Sequence, residues 1–562
     1  MRLVSFCLAA LLALTSFAPA APAAPPVQTS QDKGMHEDAR YGFKFRTPKG
    51  YTRIPLQLDE QWQVAKYLSE RAYFYTDPDG GWTYDHKPTA TVIAFVSEKV
   101  REEAKARKKK DEKDTDRYVI LISNPYKDYL DYMKKTYSGG GWFVSDEKKT
   151  KIDDVEITQY EIKVEKLTRD GPKRVICWVY HTPEVDFAFS WEVLENSFPK
   201  VKDTIYDALK SFKLIPRTES GLPTASTGET KIMLDDTEKM TPEQRKTRRV
   251  QLEQSLHGKA KSSVAPGWQV LQIGRFLVLN HTDEKYARRV AEHAEAIMAW
   301  LDQAFPFIGP EEYVRAPILR ICKDQDEESA FRTGGGSEYY FFGDNRIEIV
   351  ISQDNEGFVT GWAVERINRQ LLQLWFFERD RDLAVAMPYW LTHGLSQVIG
   401  TARNKAGKVE FRVDDWERDG IRERLRDGTF THVKDLMKMG SEEYMSSAED
   451  FFGRAKEAGG LVRFFVTGPA SKNAKTKDVL REYLKNLKAT IVEIKEADKA
   501  KEKDGKKAPA TEKEEEERFK ASSQRWKQRE KELLDSAFER SFHGWSQKEW
   551  DAFEATYLKA VS

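Results

Sequence analysis

Two stretches of this chain carry residues of the kind that hold ligands: GWAVERINRQLLQLWFF, residues 361–377, and MPYWLTHGLSQVIG, residues 387–400. The first reads as a helix from about Gly357 to Phe377 and presents Glu365, Arg366 and Arg369; the second opens another helix at Tyr389 or Trp390 and presents His393. Glu365 and Arg369 stand at i and i+4 with the acid N-terminal, the favourable order for an intrahelical ion pair. Two arginines and a histidine beside a cleft also suit an anionic group, because a guanidinium fork matches a carboxylate. Metal chemistry fits poorly. A zinc site draws at least three ligands from Cys, His and carboxylate, and arginine has no acceptor and keeps its proton. Glu365 and His393 supply two ligands at most, and no pair of histidines has His-x-x-x-His spacing.

The layout of these segments resembles the peptidase-MA-like gluzincins. In that family a helix carries His-Glu-x-x-His and a later helix opens Pro-x-Trp-Leu-x-Glu-Gly. The resemblance runs from about Trp268 to the C-terminus. It implies a helix whose two histidines hold zinc, with a glutamate as base on the bound water. Matching the family's His-Gln-Leu-Leu ending to Arg369-Gln370-Leu371-Leu372 puts Glu365 and Arg369 at the histidine positions and Arg366 at the base. Matching Pro388, Trp390, Leu391 and Gly394 puts His393 at the third ligand, a glutamate in the family. A register shifted by one residue leaves Val364 and Asn368 as ligands. Neither register assembles a zinc site, so no cofactor, metal or catalytic residue is assigned. The resemblance implies a gluzincin-like domain without peptidase activity.

Other chemistry-bearing motifs are weaker. Ser396 shares a helix turn with His393, but no carboxylate is placed to orient the histidine and no Gly-x-Ser-x-Gly elbow exists. RTGGGSE (Arg332 to Glu338) lacks the strand, lysine and helix of a phosphate loop and reads as a lip over the cleft. YFYTDPDGGWTYDH (Tyr73 to His86) sets five aromatics around a Pro-Asp-Gly-Gly turn, which reads as a hairpin more readily than as a stacking platform. His281 and His293 read as polar structure. Cys177 and Cys322 fall in different domains and read as separately buried thiols more readily than as an inter-domain disulfide.

Several elements position these residues. Residues 1–24 have one charge, Arg2, an apolar run from Leu3 to Leu14 and small residues around Ala18-Pro19-Ala20, the pattern of a secretory signal peptide. No later run is long and apolar enough to span about 30 Å of bilayer, so a secreted or periplasmic protein with no membrane span is expected. The chain's 562 residues suggest about two to four domains. Lys plus Arg and Asp plus Glu both number 91, so no global field favours nucleic acid.

Residues 39–216 read as an antiparallel α+β sandwich. Asn124-Pro125 caps a helix, Val155 to Leu167 forms a strand with one phase slip, and the charged run Arg101 to Arg117 is a solvated excursion. The opening YGFKFRTPKGY and the long paired strands resemble the PsbP-like fold, which implies a binding or scaffolding module. Residues 217–262 read as a linker with a short helix from Thr241-Pro242-Glu243 to Leu256. Residues 263–440 form the gluzincin-like α+β domain, in which Glu338 to Ser352 reads as a hairpin turning at Gly343-Asp344-Asn345. Residues 441–562 are a helical tail with a disordered charged insertion at about 490–518. The function expected is an exported, non-catalytic binding or scaffolding protein for a peptide, protein or carboxylate-bearing ligand. Its rival is an active secreted hydrolase or peptidase with a rewired site.

Overall fold

The computed structural model describes residues 34–561 except 40, 57–62, 79–82, 103–123, 125, 138–140, 166–170, 217–239, 263, 266, 332–347, 354–361, 413–414 and 502–527. The expected signal peptide, most of the charged run after Arg101 and the Gly-rich motif from Arg332 lie outside the described residues. The chain is a multi-domain α+β protein that divides into two compact units, Met1–Lys49 with Asp203–Pro223 and Gly50–Lys202 with Thr224–Ser562. Segment 39–216 contributes to both.

In the first unit, Met35–Asp38, Phe43–Arg46 and Lys213–Leu214 form a three-stranded antiparallel sheet. Alternation along Phe43-Lys44-Phe45 puts both phenylalanines on the buried face, where Phe212 stacks on Phe43 with ring centroids 5.8 Å apart.

The second unit opens with a seven-stranded antiparallel sheet in the order Tyr51–Ile54, Gln63–Ser69, Thr89–Val96, Val185–Leu194, Lys173–His181, Val155–Val164, Trp142–Ile152. Its hairpin at Asp153 and Asp154 has positive φ at both residues, 45° and 65°, a left-handed pair that aspartate tolerates better than most residues. The register slip falls on the edge strand, between Val144 and Asp146, while Val155–Val164 pairs continuously with its inner neighbour. The helix following Thr89–Val96 is Tyr129–Thr136, and its cap is Asp128, which accepts from Asp131 N at 2.9 Å. Asn124, expected as that cap, instead donates to Ala94 O and accepts from Tyr126 N, bracing the approach to the helix. Segment 73–86 pairs as a hairpin, Tyr73–Thr76 against Thr83–His86.

Helix α1 (Pro242–Ser262) starts with a reciprocal cap, Thr241 N donating to Gln244 Oε1 and Gln244 N to Thr241 Oγ1. It runs past Leu256 to Ser262 and is tied down, with Glu253 accepting from Tyr313 Oη at 2.8 Å and Ala316 N at 2.6 Å. This half of the expected linker is therefore packed structure. Beyond it, β1 (Gln269–Ile273) pairs antiparallel with β2 (Phe276–Asn280), and β2, β3 (Ile318–Cys322) and β4 (Glu348–Ser352) run parallel. All residues of β2 and β3 are buried, as parallel strands covered on both faces must be. The turn of the expected hairpin lies outside the described residues, and its second arm, β4, pairs parallel with β3.

Helix α2 (Glu284–Ala304), capped by Asp283, connects β2 to β3 with an apolar stripe through Ala287, Val290, Ala294, Ile297 and Leu301. Helix α3 (Gln325–Phe331) follows β3. Helix α4 (Trp362–Arg379) buries Val364, Ile367, Leu371 and Trp375 against this core. Helix α5 (Tyr389–Gly400) packs on α4 and leads into a hairpin of β5 (Ala402–Lys405) and β6 (Lys408–Phe411). The tail is helical: α6 (Ala448–Val466), Val479–Lys501, residues 528–541 and Gln547–Val561. The charged insertion expected from about 490 is helical as far as Lys501, with Lys488 held by Asp380 at 3.2 Å. Among the described residues no helix is long and apolar enough to cross a membrane.

Candidate functional site

Helix α4 turns about 100° per residue, so Glu365 and Arg369 share one face while Arg366 looks elsewhere. The Glu365 and Arg369 side chains meet, Arg369 Nη2 lying 3.6 Å from Glu365 Oε2. Arg369 also donates to Gln397 Oε1 on α5 at 3.3 Å. It lies across Gly400, where a Cβ would stand 3.0 Å from its Nε. Arg403, at the start of β5, extends the cluster, with Nη2 3.9 Å from Glu365 Oε1 and Nη1 donating to Gly400 O and Ala402 O.

Arg366 belongs to a different network. Its guanidinium pairs with Glu328 of α3 at 2.6 Å, and Ser352 Oγ donates to the same carboxylate at 2.7 Å. Both charged side chains are buried.

His393 is placed by rings. It stacks between Tyr389 and Tyr444, centroids 5.6 Å from each and planes within 17°, with Phe451 edge-on at 5.1 Å. Burial pushes its pKa down to about 4 and the nearby Arg369 charge adds to this, so the imidazole is neutral at neutral pH. No hydrogen bond joins it to Glu365, Arg366 or Arg369 among the described residues.

The structure thus brings Glu365 and Arg369 together, sets His393 beside them in an aromatic stack, and sends Arg366 to the carboxyl ends of the parallel strands. Residues absent from the sequence reading complete the picture, Arg403, Gln397 and Glu328, together with Asn368, which that reading weighed only as a ligand position in the shifted register. Asn368 is fully buried and its amide joins α2 to β5, with His293 Nε2 2.6 Å from its Oδ1 and its Nδ2 donating to Gly400 O and Ala402 O. Local sequence carries no signal for these partners, which come from distant segments. Among the described residues Cys177 and Cys322 are free thiols, and both are buried. His281 pairs with Glu327 at 2.7 Å and stacks on Trp268.

The donor set does not suit a metal. On this face of α4, Arg369 presents a guanidinium and Glu365 a carboxylate already facing two guanidinium groups, and His393 is fixed between rings. Among the described residues no group of three or more His, Cys, Asp or Glu side chains is placed to hold a metal ion. The pair itself is a minor contributor to stability. With side chains 25% and 34% exposed, Arg369→Gln is expected to cost no more than about 0.5 kcal/mol. Thermal denaturation of that variant checks this, and a loss of several degrees would mean that Arg369 has a larger packing role.

No protein-family model matches the chain and none of the curated proteins does. Solved structures resemble parts of it. The cyanobacterial PsbP, CyanoP, from Synechocystis sp. PCC 6803 is 12% identical, with a TM-score of 0.22 over 34% of this chain and 99% of that one. A protein of unknown function from Pseudomonas aeruginosa, PA94, is 7% identical with a TM-score of 0.15 over 26% of this chain and 99% of its own. A Bacteroides thetaiotaomicron VPI-5482 protein is 10% identical with a TM-score of 0.18 over 44% of this chain and 87% of its own.

Proposed function

We propose that the chain is an exported, non-catalytic binding or scaffolding protein of the cell envelope or secretome, whose residues 263–440 are a gluzincin-like domain without a zinc site. One observation carries the reading. The face of α4 that would present metal ligands is occupied by an ion pair, Glu365 with Arg369, backed by Arg403, and such a face suits carboxylate recognition better than water activation. The base position holds Arg366, which is spent on Glu328 and takes no proton from water. The ligand on this reading is a peptide, a protein or a smaller carboxylate-bearing molecule.

Metal analysis and a peptide-cleavage assay on the purified protein test it. Substoichiometric zinc and no cleavage are expected; one tightly bound zinc, or hydrolysis that a chelator stops, would sink the proposal. A pull-down from envelope extract, with Glu365→Ala/Arg369→Ala as comparator, tests the α4 face. Partners retained by the wild type and lost by the double variant are expected, whereas identical partner sets would remove this face from the binding reading.

A further inference from the structure

Strand β1 (Gln269–Ile273) is the outermost strand of the four-stranded sheet, and among the described residues no strand pairs with its outer edge. It carries none of the devices that keep sheet edges apart. Its sequence, QVLQI, has no charge and no proline, and its register against β2 is unbroken. Gln269, Val270 and Gln272 are exposed, Val270 by 41%. The seven-stranded sheet is treated differently. Its edge strand Trp142–Ile152 bears Asp146, Glu147, Lys148, Lys149 and Lys151, with a register shift between Val144 and Asp146, and these features blunt it against a further strand. Of the two edges, one is guarded and the other is open.

The backbone groups of β1 divide by position. A two-residue turn, Gly274-Arg275, joins β1 to β2, with Gly274 at φ 57°. The pair that closes such a hairpin, Ile273 with Phe276, exchanges its backbone bonds, and the alternation of an antiparallel ladder then commits Leu271 and Gln269 to β2 as well. Val270 and Gln272 are left with N–H and C=O groups directed away from the sheet.

We propose that two copies of this chain pair through β1, antiparallel about a two-fold axis at Leu271. In that register Val270 and Gln272 of one copy lie opposite Gln272 and Val270 of the other, so the outward groups of both strands satisfy each other. Leu271 faces its own copy as a non-hydrogen-bonded pair, with Cα atoms about 4.5 Å apart. The two-fold also matches faces. Leu271 packs partly on the core and meets the other Leu271 on the same side of the enlarged sheet. Charge poses no obstacle, because β1 is neutral and the chain carries 91 basic and 91 acidic side chains. For the same reason a second copy suits this edge better than a charged peptide, to which the strand offers no counter-charge. The paired strands are short, so the interface lies at the small end of specific contacts, below about 1,200 Å². A reversible dimer is therefore expected, with a dissociation constant on the order of 1–100 µM. This association is independent of the α4 face, and zinc or peptide cleavage would leave it standing.

Sedimentation velocity on the purified protein across a wide range of concentration tests it, and a monomer–dimer equilibrium is expected. Val270→Lys sets two like charges in the paired edge, and Gln272→Pro removes an outward donor at a position where an edge strand tolerates proline. Each is expected to weaken dimerisation at least about tenfold with an unchanged melting curve, while Val270→Thr keeps it. Leu271→Cys reads the register, because Cα atoms about 4.5 Å apart accept a disulfide and Cys177 and Cys322 are buried. Mild oxidation is expected to cross-link Leu271→Cys as a dimer and to cross-link Val270→Cys, which lies diagonal to its copy, far more slowly. A wild type that stays monomeric, a dimer that Val270→Lys and Gln272→Pro both retain, or faster cross-linking of Val270→Cys than of Leu271→Cys overturns the assignment.

Discussion

Glu378→Ala is expected to destabilise the second unit by about 3–5 kcal/mol, because it leaves two arginines facing each other without their shared counter-charge. Glu378 closes α4 and is buried. Arg315 grips it with Nε at 2.9 Å and Nη2 at 2.7 Å, and Arg249 of α1 reaches the same carboxylate while donating to Glu378 O at 3.0 Å. Both arginines are mostly buried, so neither regains water when the carboxylate is removed. A loss of this size is a large share of the roughly 5–15 kcal/mol that holds a domain folded.

Acid should act in the same direction. Burial by itself would raise the Glu378 pKa, but the Arg315 charge and hydrogen bonds, with Arg249 behind them, outweigh it and hold the carboxyl below its ordinary value. A folded pKa below the unfolded one gives stability that is complete above the unfolded carboxyl value of about 4.3 and is lost as pH falls through the folded value. Wild type and Glu378→Ala should therefore differ most at neutral pH and converge below about pH 4. Urea denaturation at pH 7 and pH 3.5 checks this. Equal midpoints at pH 7, or a gap that widens in acid, would show that the three-residue cluster is not formed.

That cluster also shows what a linear reading misses. Helix α1 has polar and charged residues around most of its circumference, so hydrophobic periodicity says linker. Its docking rests on Arg249 and Glu253, whose partners Tyr313, Ala316 and Glu378 are distant in sequence. Contacts inside one helix were legible, and the i, i+4 rule finds Glu365 with Arg369. The helix beyond Val479 was cut short by its charge, yet Lys, Glu and Ala are strong helix formers and Lys488 has a partner on another element. Glu348–Ser352 illustrates a third limit. A buried apolar run announces a strand, but the direction of its neighbour is a property of the connection between them, and β4 pairs parallel with β3. Asn-Pro is a strong cap signal at Asn124, whereas Asp128, four residues further on, makes the capping bond.

The position where sequence resemblance and structure diverge most in their consequences is Arg366. Matched to the gluzincin pattern it stands where a catalytic glutamate would, which invites Arg366→Glu as a restoring change. In the folded chain the same substitution sets a carboxylate against Glu328, whose side chain is 1% exposed and already accepts from Ser352 Oγ. The loss is expected to equal or exceed that of Glu378→Ala, about 3–5 kcal/mol for breaking a buried pair plus like-charge repulsion. One proton shared by the new pair would relieve that repulsion. The folded variant then takes up a proton at a higher pH than the unfolded chain does, so its stability falls as pH rises, and its deficit against wild type should shrink from pH 7 to pH 5. The charge swap Arg366→Glu/Glu328→Arg separates this from a general intolerance of change at the site, since it restores an ion pair in the same place. Partial recovery of the urea midpoint in the swap is expected; a single Arg366→Glu variant as stable as wild type would mean that Arg366 and Glu328 do not meet. A zinc site built here by Glu365→His, Arg366→Glu, Arg369→His and His393→Glu must therefore also provide for Glu328, and must pull residue 393 out of the Tyr389 and Tyr444 stack before it can reach a metal.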